Sequence, residues 1–154
     1  MATPIKTLIL QAIKTALDGM INGDGAALFK DVIRNPSKPI DHDFFKSPMC
    51  FIFDETESKT RRNRIADVSL PIQIECWLKI DEDDISDFMD YIEAEVHKEF
   101  VNSTDLQLYI KNIYPEEGTP ATKFYINETL GGVVLRYNIR YIHEWADPYD
   151  SGRQ

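Results

Sequence analysis

The sequence predicts an α+β fold in which a mostly antiparallel sheet, with a long-looped hairpin, is flanked by two amphipathic helices. Apolar and polar residues alternate over residues 69–80 and again over 133–142, which is the two-residue period of strands that bury one face. Two other stretches repeat apolar residues at spacings of three and four, which is the period of an amphipathic helix. The length of 154 residues fits one domain with a substantial core.

The first predicted helix begins with Pro4, a residue tolerated at the first helical position, and Thr3 is its candidate N-cap. The apolar stripe of this helix consists of Ile5, Leu8, Ile9, Ala12, Ile13, Ala16, Leu17, Met20 and Ile21. The segment Asn22-Gly23-Asp24-Gly25 is a stop signal, because glycine readily adopts a left-handed cap conformation.

The second predicted helix follows the central strand directly, with Asp81 or Asp83 as its N-cap and Asn102 near its end. Its buried stripe consists of Ile85, Phe88, Met89, Ile92, Val96 and Phe100. The outer face is strongly acidic. Acid–base catalysis needs buried carboxylates with raised pKa values, so carboxylates on this solvent-facing side are not catalytic candidates.

A long antiparallel hairpin is predicted from residues 49–55 and the apolar run that begins at Ile65. Its connecting loop, residues 56–63, is almost entirely polar, so we expect it to be poorly ordered in a free subunit and ordered in an assembly. Pro71 in the central strand cannot donate a backbone hydrogen bond, so its nitrogen should face an edge, a bulge or a gap. A short strand is also predicted within residues 28–34.

The second half of the chain is predicted to add strands at 106–114 and 124–126, and Leu130-Gly131-Gly132 is expected to turn the chain into the last strand. We expect the central and last strands to lie close together in one sheet. A single domain over residues 1–146 and an extended C-terminal tail over 147–154 complete the layout. The predicted shared core consists of Leu8, Ile9, Ile13, Ile72, Ile74, Leu78, Ile85, Phe88, Ile92, Leu135 and Ile139.

The charge balance limits the partners of the protein. A net charge of −9 disfavours wholesale wrapping of nucleic acid, but it does not exclude a tube or pore through which DNA slides without sticking. No apolar run is long enough to span a bilayer. Cys50 and Cys76 lie inside apolar strand patterns, and we expect buried thiols rather than a disulfide.

The sequence contains no glycine-rich phosphate loop, nucleophile elbow or histidine–cysteine metal spacing, so we predict no catalytic centre, metal site or cofactor. Two histidines are the best candidates for the opposing hypothesis of a small enzyme. His42 lies between Asp41 and Asp43, and His143 precedes Glu144. We interpret the first as part of a solvated loop and the second as the end of a strand.

The main candidate for partner binding is the basic cluster Arg61, Arg62 and Arg64, the densest in this acidic chain. It would dock on an acidic partner or on DNA phosphate; the alternative is a solvated loop balanced by nearby carboxylates. Trp77 interrupts the polar face of the central strand, where it would cover a neighbour or enter an interface. The other candidate partner-binding residues are Arg136, Arg140 and Trp145.

The elements follow in the order amphipathic helix, short strand, long-looped hairpin, helix, and a final hairpin with a long last strand. Together with the length, the acidity and the aromatic ending Tyr141-Ile142-His143-Glu144-Trp145, this layout resembles the tail terminator (tail completion) proteins of tailed bacteriophages and related contractile particles. The similarity covers nearly the whole chain. It is a similarity of layout, so it carries over no individual site residue.

The resemblance implies a structural virion protein that forms a hexameric ring, caps the tail tube, ends its polymerisation and provides the surface for head–tail joining. The implied partners are the tail tube protein, a neck or head-completion protein and, in a contractile tail, the sheath protein. DNA would pass through the lumen without specific binding, and the subunit would assemble in the host cytoplasm. The alternatives are another neck or head–tail connector protein, a small α+β enzyme and a monomeric binding module.

Overall fold

The computed structural model describes residues 2–36, 48–79, 85–118, 121–126 and 129–151. The helices are α1 (Ile5–Asp18), α2 (Ile85–Asn102) and α3 (Thr104–Gln107). The strands are β1 (Asp31–Arg34), β2 (Met49–Asp54), β3 (Ser58–Arg62), β4 (Ile65–Lys79), β5 (Asn112–Pro115), β6 (Thr122–Tyr125) and β7 (Leu130–Glu144). These elements confirm the predicted α+β class.

The described strands form one seven-stranded sheet in the order β1-β2-β4-β7-β5, with β3 also paired to β4 and β6 also paired to β7. Strands β4 and β7 pair antiparallel over their whole lengths, from Ile65 opposite Glu144 to Lys79 opposite Leu130. The short β1 runs parallel to β2, and the other described pairs are antiparallel. The prediction that the central and last strands are neighbours is therefore confirmed, and both strands are longer than their alternating patterns indicated.

Both long helices cover the same face of the sheet. The even-numbered residues of β4 and the odd-numbered residues of β7 from Val133 to Tyr141 share one core cluster with Ile13 of α1 and Ile92 of α2. The predicted core is confirmed, with Leu8 and Phe88 only partly buried at its margin. The side chain of Ile85 lies outside the described part of the structure.

The opposite face of the sheet has no described helix packed on it. At one end of this face, the Trp77 ring meets Phe51 and Phe124 edge-on, with ring centroids 5.6 and 5.7 Å apart. Leu130 completes this second, smaller apolar cluster. The other end of the face is polar. Among the described residues, this face of the sheet is therefore covered by no helix and changes from apolar to polar along its length.

The predicted hairpin is present, but its long loop is not. Strands β2 and β3 pair with the same edge of β4, and a one-residue shift in register leaves residues 55–57 as a bulge between them. The connection from β3 to β4 is the two-residue turn Asn63-Arg64, in which Asn63 adopts a φ of 56°. Asparagine tolerates this left-handed conformation better than most residues.

The expectation that residues 56–63 are poorly ordered in a single subunit is therefore wrong. The segment is polar, and all five residues of β3 are exposed, yet the backbone of β4 provides a ladder of hydrogen-bond partners for it. Side-chain polarity predicts how little apolar surface a segment buries. Side-chain polarity does not predict whether a neighbouring strand, here β4, offers hydrogen-bond partners to the backbone of the segment.

Pro71 lies opposite the bulge. Its carbonyl oxygen accepts a hydrogen bond from the Glu55 backbone N–H at 3.0 Å. The nitrogen and the carbonyl of a strand residue point to the same edge, so the Pro71 nitrogen faces the junction of β2 and β3. The prediction that this proline faces a bulge or a gap is confirmed.

Two predictions in the second half of the chain are wrong. Residues 106–114 are not one strand, because the Ser103 hydroxyl accepts the Leu106 backbone N–H at 3.3 Å and begins α3. Leu130-Gly131-Gly132 does not turn the chain but belongs to β7. A Cβ at Gly132 would lie 2.0 Å from the Cys76 carbonyl oxygen, so glycine is required there for close strand packing rather than for a turn.

The C-terminal segment contacts the start of α1. The Ile5 backbone N–H donates to the Pro148 carbonyl at 3.0 Å, and the Glu144 N–H donates to the Asp150 carbonyl at 2.9 Å. Pro4 occupies the N-cap position and no side chain caps the helix, so the expected cap at Thr3 is wrong. Pro148 instead satisfies one of the backbone donors that a helix start leaves unpaired. Residues 152–154 lie outside the described part.

The two cysteines are buried and form no disulfide. Cys50 and Cys76 lie directly opposite each other in the β2–β4 pair. Burial raises the pKa of the Cys50 thiol, and the neighbouring Cys76 raises it further. Both side chains therefore act as small core residues.

Candidate functional site

The end of the sheet at which β3 turns into β4 brings together five of the seven predicted partner-binding residues. Arg61, Arg62 and Arg64 lie on or beside the turn, and Arg140 and Trp145 lie at the adjacent end of β7. The Trp145 backbone N–H donates to the Arg64 carbonyl at 2.6 Å, which ties the two segments together. We call these five residues the hairpin cluster.

One face of the hairpin cluster is a basic and aromatic edge. The guanidinium carbon of Arg61 lies 5.2 Å from the centroid of the Trp145 ring, a cation–π arrangement. The Arg61 Nε also donates to the Asn63 carbonyl at 2.9 Å. Trp145 remains 41% exposed, so part of the ring beside Arg61 is open to solvent.

The other face is centred on Asp67, whose side chain is only 6% exposed. Arg140 Nη2 donates to both carboxylate oxygens, at 3.1 and 3.2 Å. Arg62 Nε and Lys111 Nζ each lie 3.9 Å from Asp67 Oδ2. One carboxylate thus faces three cations, so this part of an acidic protein is locally positive. Arg62 is 71% exposed and directs most of its donors towards solvent.

These charges border a polar pocket of about 290 Å³ on the uncovered face of the sheet. The pocket is lined by Ser58, Thr60, Arg62, Asp67, Ser69, Tyr114 and Arg140. Its floor is held by a hydrogen-bond chain in which the Ser69 hydroxyl donates to Asn138 Oδ1 at 2.8 Å and Asn138 Nδ2 donates to the Tyr114 hydroxyl at 2.7 Å. Hydroxyls and guanidinium groups at the rim of a pocket bind carboxylate or phosphate oxygens well.

The bulge that precedes β3 is held by Glu57. The Tyr141 hydroxyl donates to Glu57 Oε2 at 2.8 Å, and Lys59 Nζ lies 3.4 Å from Glu57 Oε1. Burial, together with the hydrogen bond to the Glu57 carboxylate, raises the pKa of Tyr141 well above its ordinary value. The ribbon of β3 and β4 that carries the three arginines is therefore held at both ends, by Glu57 at the bulge and by Trp145 at the turn.

The remaining two predicted residues lie elsewhere. Trp77 is 8% exposed and belongs to the apolar cluster with Phe51 and Phe124, so in the single chain it covers its own neighbours. Arg136 lies opposite Gln73 of β4, on the uncovered face of the sheet, and also borders a separate groove between α2 and β7. Neither side chain is brought to the hairpin cluster.

The groove beside Arg136 has a volume of about 740 Å³. Asp90, Glu93 and His97 of α2 line one side, and Tyr137 lines the other, with its hydroxyl 3.4 Å from His97 Nδ1. Burial and the charge of Glu93 raise the pKa of Tyr137 to about 12. The phenol is therefore protonated at neutral pH.

Of the two histidine candidates of the enzyme hypothesis, the structure describes only His143. Asp41, His42 and Asp43 lie outside the described part. His143 is 3% exposed, and its Nδ1 donates to the Glu144 carbonyl at 2.7 Å. Its Nε2 has no hydrogen-bond partner within the described residues. No group of three or more His, Cys, Asp or Glu side chains in the described part is placed to hold a metal ion.

Sequence reasoning missed Asp67 and Tyr114, which line the pocket, and Lys111 and Asn138, which contact them. One signal was available, because Asp67 is a charged residue two positions after Ile65, inside an apolar strand pattern. A carboxylate in such a position is retained most readily where cations surround it.

None of the described helices is long and apolar enough to cross a membrane. In comparisons with known proteins, no protein-family model and no curated protein matches the chain.

Proposed function

We propose that the chain is a tail terminator: a structural subunit that joins other copies in a ring, caps a tail tube, ends its polymerisation and provides the surface for head–tail joining. The resemblance in layout supplies the class of particle. The observation that carries the proposal is the hairpin cluster, whose basic and aromatic side chains are exposed beside a β-ribbon that is held at both ends. Docking is the function for which such a ribbon is suited.

Ring closure needs two different, complementary surfaces on each subunit. The basic hairpin cluster is one, and the outer face of α2, with Asp87, Asp90 and Glu93 exposed, is the other. Opposite charges on separate elements favour head-to-tail association and disfavour pairing of like surfaces. The uncovered sheet face adds apolar area for the same contacts.

The proposed partners follow from this role. They are the tail tube protein, a neck or head-completion protein and, in a contractile tail, the sheath protein. A hexamer is the ring size that the resemblance suggests, with the protein located in the virion. DNA would slide through the lumen without specific binding, because the net charge of −9 repels phosphate.

The proposal is tested by the mass and shape of the purified protein. Size-exclusion chromatography with light scattering should give a closed oligomer of the 17.8 kDa chain, and negative-stain images should show a central hole. High salt should shift the oligomer towards smaller species, because charge pairs at the interface are screened. A monomer at all concentrations, with no binding to tail tubes, would contradict the proposal.

A small α+β enzyme or binding module is the second candidate, and the groove beside His97 and Tyr137 is the observation that favours it. A cavity of this size, with mostly apolar walls and a few polar groups, is typical of small-molecule sites. A thermal-shift screen of soluble metabolites, repeated with His97→Ala, tests it. Stabilisation of the native protein that the variant loses would support this second function.

A further inference from the structure

The outer edge of β3 presents unpaired backbone groups, and the sheet register shows which ones. The Pro71 carbonyl accepts the Glu55 N–H, so odd-numbered residues of β4 direct their backbone groups towards β2 and β3. The β3 residues opposite odd-numbered β4 residues are Ser58, Thr60 and Arg62. The intervening Lys59 and Arg61 therefore direct their N–H and C=O groups away from β4. No strand or loop of the described part bonds to them there.

Basic side chains flank this edge on both faces of the ribbon. Arg62 lies on the uncovered sheet face, where it borders the pocket with Arg140. Lys59 and Arg61 alternate with it and lie on the opposite face. Residues 58–64 contain four basic and no acidic residues, in a chain with 17 basic and 26 acidic residues. An open strand edge with basic side chains on both faces is complementary to an extended chain that carries acidic side chains.

We propose that the outer edge of β3 receives an extended acidic segment of a partner protein as an added strand. The backbone of that segment bonds to the N–H and C=O groups of Lys59 and Arg61. Its side chains alternate between the two faces, so carboxylates on one face reach Arg62 and Arg140 at the pocket. Carboxylates on the other face reach Lys59 and Arg61.

A polypeptide fits this surface better than duplex DNA does. A phosphate backbone offers no N–H and C=O ladder for the edge, and it would engage the basic side chains of one face only. Arg61 is also held against Trp145, and Arg62 lies on the other side of the ribbon, so the two do not converge on one phosphate. The net charge of −9 repels DNA from the rest of the surface.

This inference goes beyond the proposed function, because it depends on the sheet edge and its charges and not on ring formation. It is tested on the full-length protein with a short synthetic peptide that alternates glutamate and threonine. Calorimetry should show binding that added salt weakens. Amide exchange should show slower exchange at Lys59 and Arg61 when the peptide is bound, because their N–H groups become hydrogen-bonded.

Two matched changes separate strand addition from simple charge attraction. Lys59→Pro removes an outward N–H but no bond to β4, so the ribbon is retained; Lys59→Ala removes the same charge and keeps the N–H. We expect Lys59→Pro to weaken peptide binding by about tenfold more than Lys59→Ala does. The same question can be asked without altering the protein, by N-methylating the peptide at alternate residues. This removes the peptide N–H groups that would bond to β3, so the methylated peptide should not bind.

Three results would overturn the inference. The first is equal affinity for the N-methylated and unmodified peptides. The second is tighter binding of a duplex DNA oligonucleotide than of the peptide, with no effect of Lys59→Pro. The third is that the native protein does not bind the peptide while Lys59→Pro loses self-association. In that case a second copy of the chain would occupy the edge. Ring formation unaffected by Lys59→Pro, with peptide binding lost, would support it independently of the ring.

Discussion

At the residue scale, Ile74 is the clearest test of the assignment of sheet faces. It is fully buried at the centre of β4, in the cluster that includes α1 and α2. Truncation to alanine should lower the free energy of unfolding by about 2–5 kcal/mol, because it removes buried methyl groups and leaves a cavity. Urea titration measures the change. Gln73→Ala, on the uncovered face, is the matched control and should cost much less.

Gly132 tests the close packing of β4 and β7. An added Cβ would lie 2.0 Å from the Cys76 carbonyl oxygen and 2.8 Å from Phe124 Cζ, so the two strands must separate to admit it. Gly132→Ala should therefore destabilise the protein by about 1–3 kcal/mol, as overpacking does. Gly23→Ala is the control, because no atom lies within 4 Å of a Cβ built there. Equal melting temperatures for the two variants would contradict the packing described here.

Asp54 makes stability depend on pH. Burial alone would raise the pKa of Asp54, but hydrogen bonds from Asn35 at 2.6 Å and Arg34 at 3.3 Å outweigh burial and hold the pKa below its ordinary value of 3.8. Lys6 of α1 lies 3.3 Å away and acts in the same direction. A carboxyl with a lower pKa in the folded state stabilises the fold above its ordinary pKa, and that stabilisation is lost as the pH falls through the folded value.

Asp54→Asn should therefore lower the free energy of unfolding at pH 7 and reduce its decline on acidification. Denaturant titrations from neutral pH down to about pH 2 measure both effects. Glu117→Gln, at an exposed position, is the control and should leave the pH profile nearly unchanged. A profile for Asp54→Asn that is parallel to the native profile would show that the ion pairs with Arg34 and Lys6 contribute nothing.

At the element scale, β3 should show alternating amide exchange in the free subunit. The N–H groups of Ser58, Thr60 and Arg62 face β4 and should exchange slowly, whereas those of Lys59 and Arg61 face outward and should exchange quickly. Hydrogen exchange followed by NMR measures the pattern. Uniformly fast exchange over residues 58–62 would restore the original expectation of a poorly ordered loop.

At the scale of the whole molecule, reversal of the hairpin charges should separate folding from assembly. Replacing Arg61, Arg62 and Arg64 by glutamate should leave the fold nearly intact, because all three side chains are exposed. Ring closure should weaken, because the hairpin cluster is one of its two charged surfaces, and so should attachment to the tail tube or neck. Added salt should weaken both in the native protein too. A tail-assembly assay measures tail length and head joining. Normal values for both would exclude the hairpin cluster from assembly and leave the acidic α2 face and the C-terminal segment as candidates.

Much of the fold was determined by the sequence itself, since periodicity is a local property. Alternation over residues 69–80 placed Ile72 and Ile74 on the inner face, and the helical stripes identified Ile13 and Ile92 as their partners. Pro71 predicted an edge, a bulge or a gap, because its missing N–H excludes a regular ladder on that side of the strand. The candidate site was predicted in part: the three hairpin arginines, Arg140 and Trp145 were identified without any indication that they lie together.

Only the tertiary structure decided which strands pair and which distant side chains come into contact. The polar segment 58–62 became a strand because β4 supplies backbone partners, and Gly132 stayed within a strand because the Cys76 carbonyl lies against it. The pocket around Asp67 joins residues from β3, β4, β5 and β7, which no spacing in the chain connects. Backbone hydrogen bonds and ion pairs between distant segments depend on register, and register is set by the packing of the whole sheet rather than by any local pattern of residues.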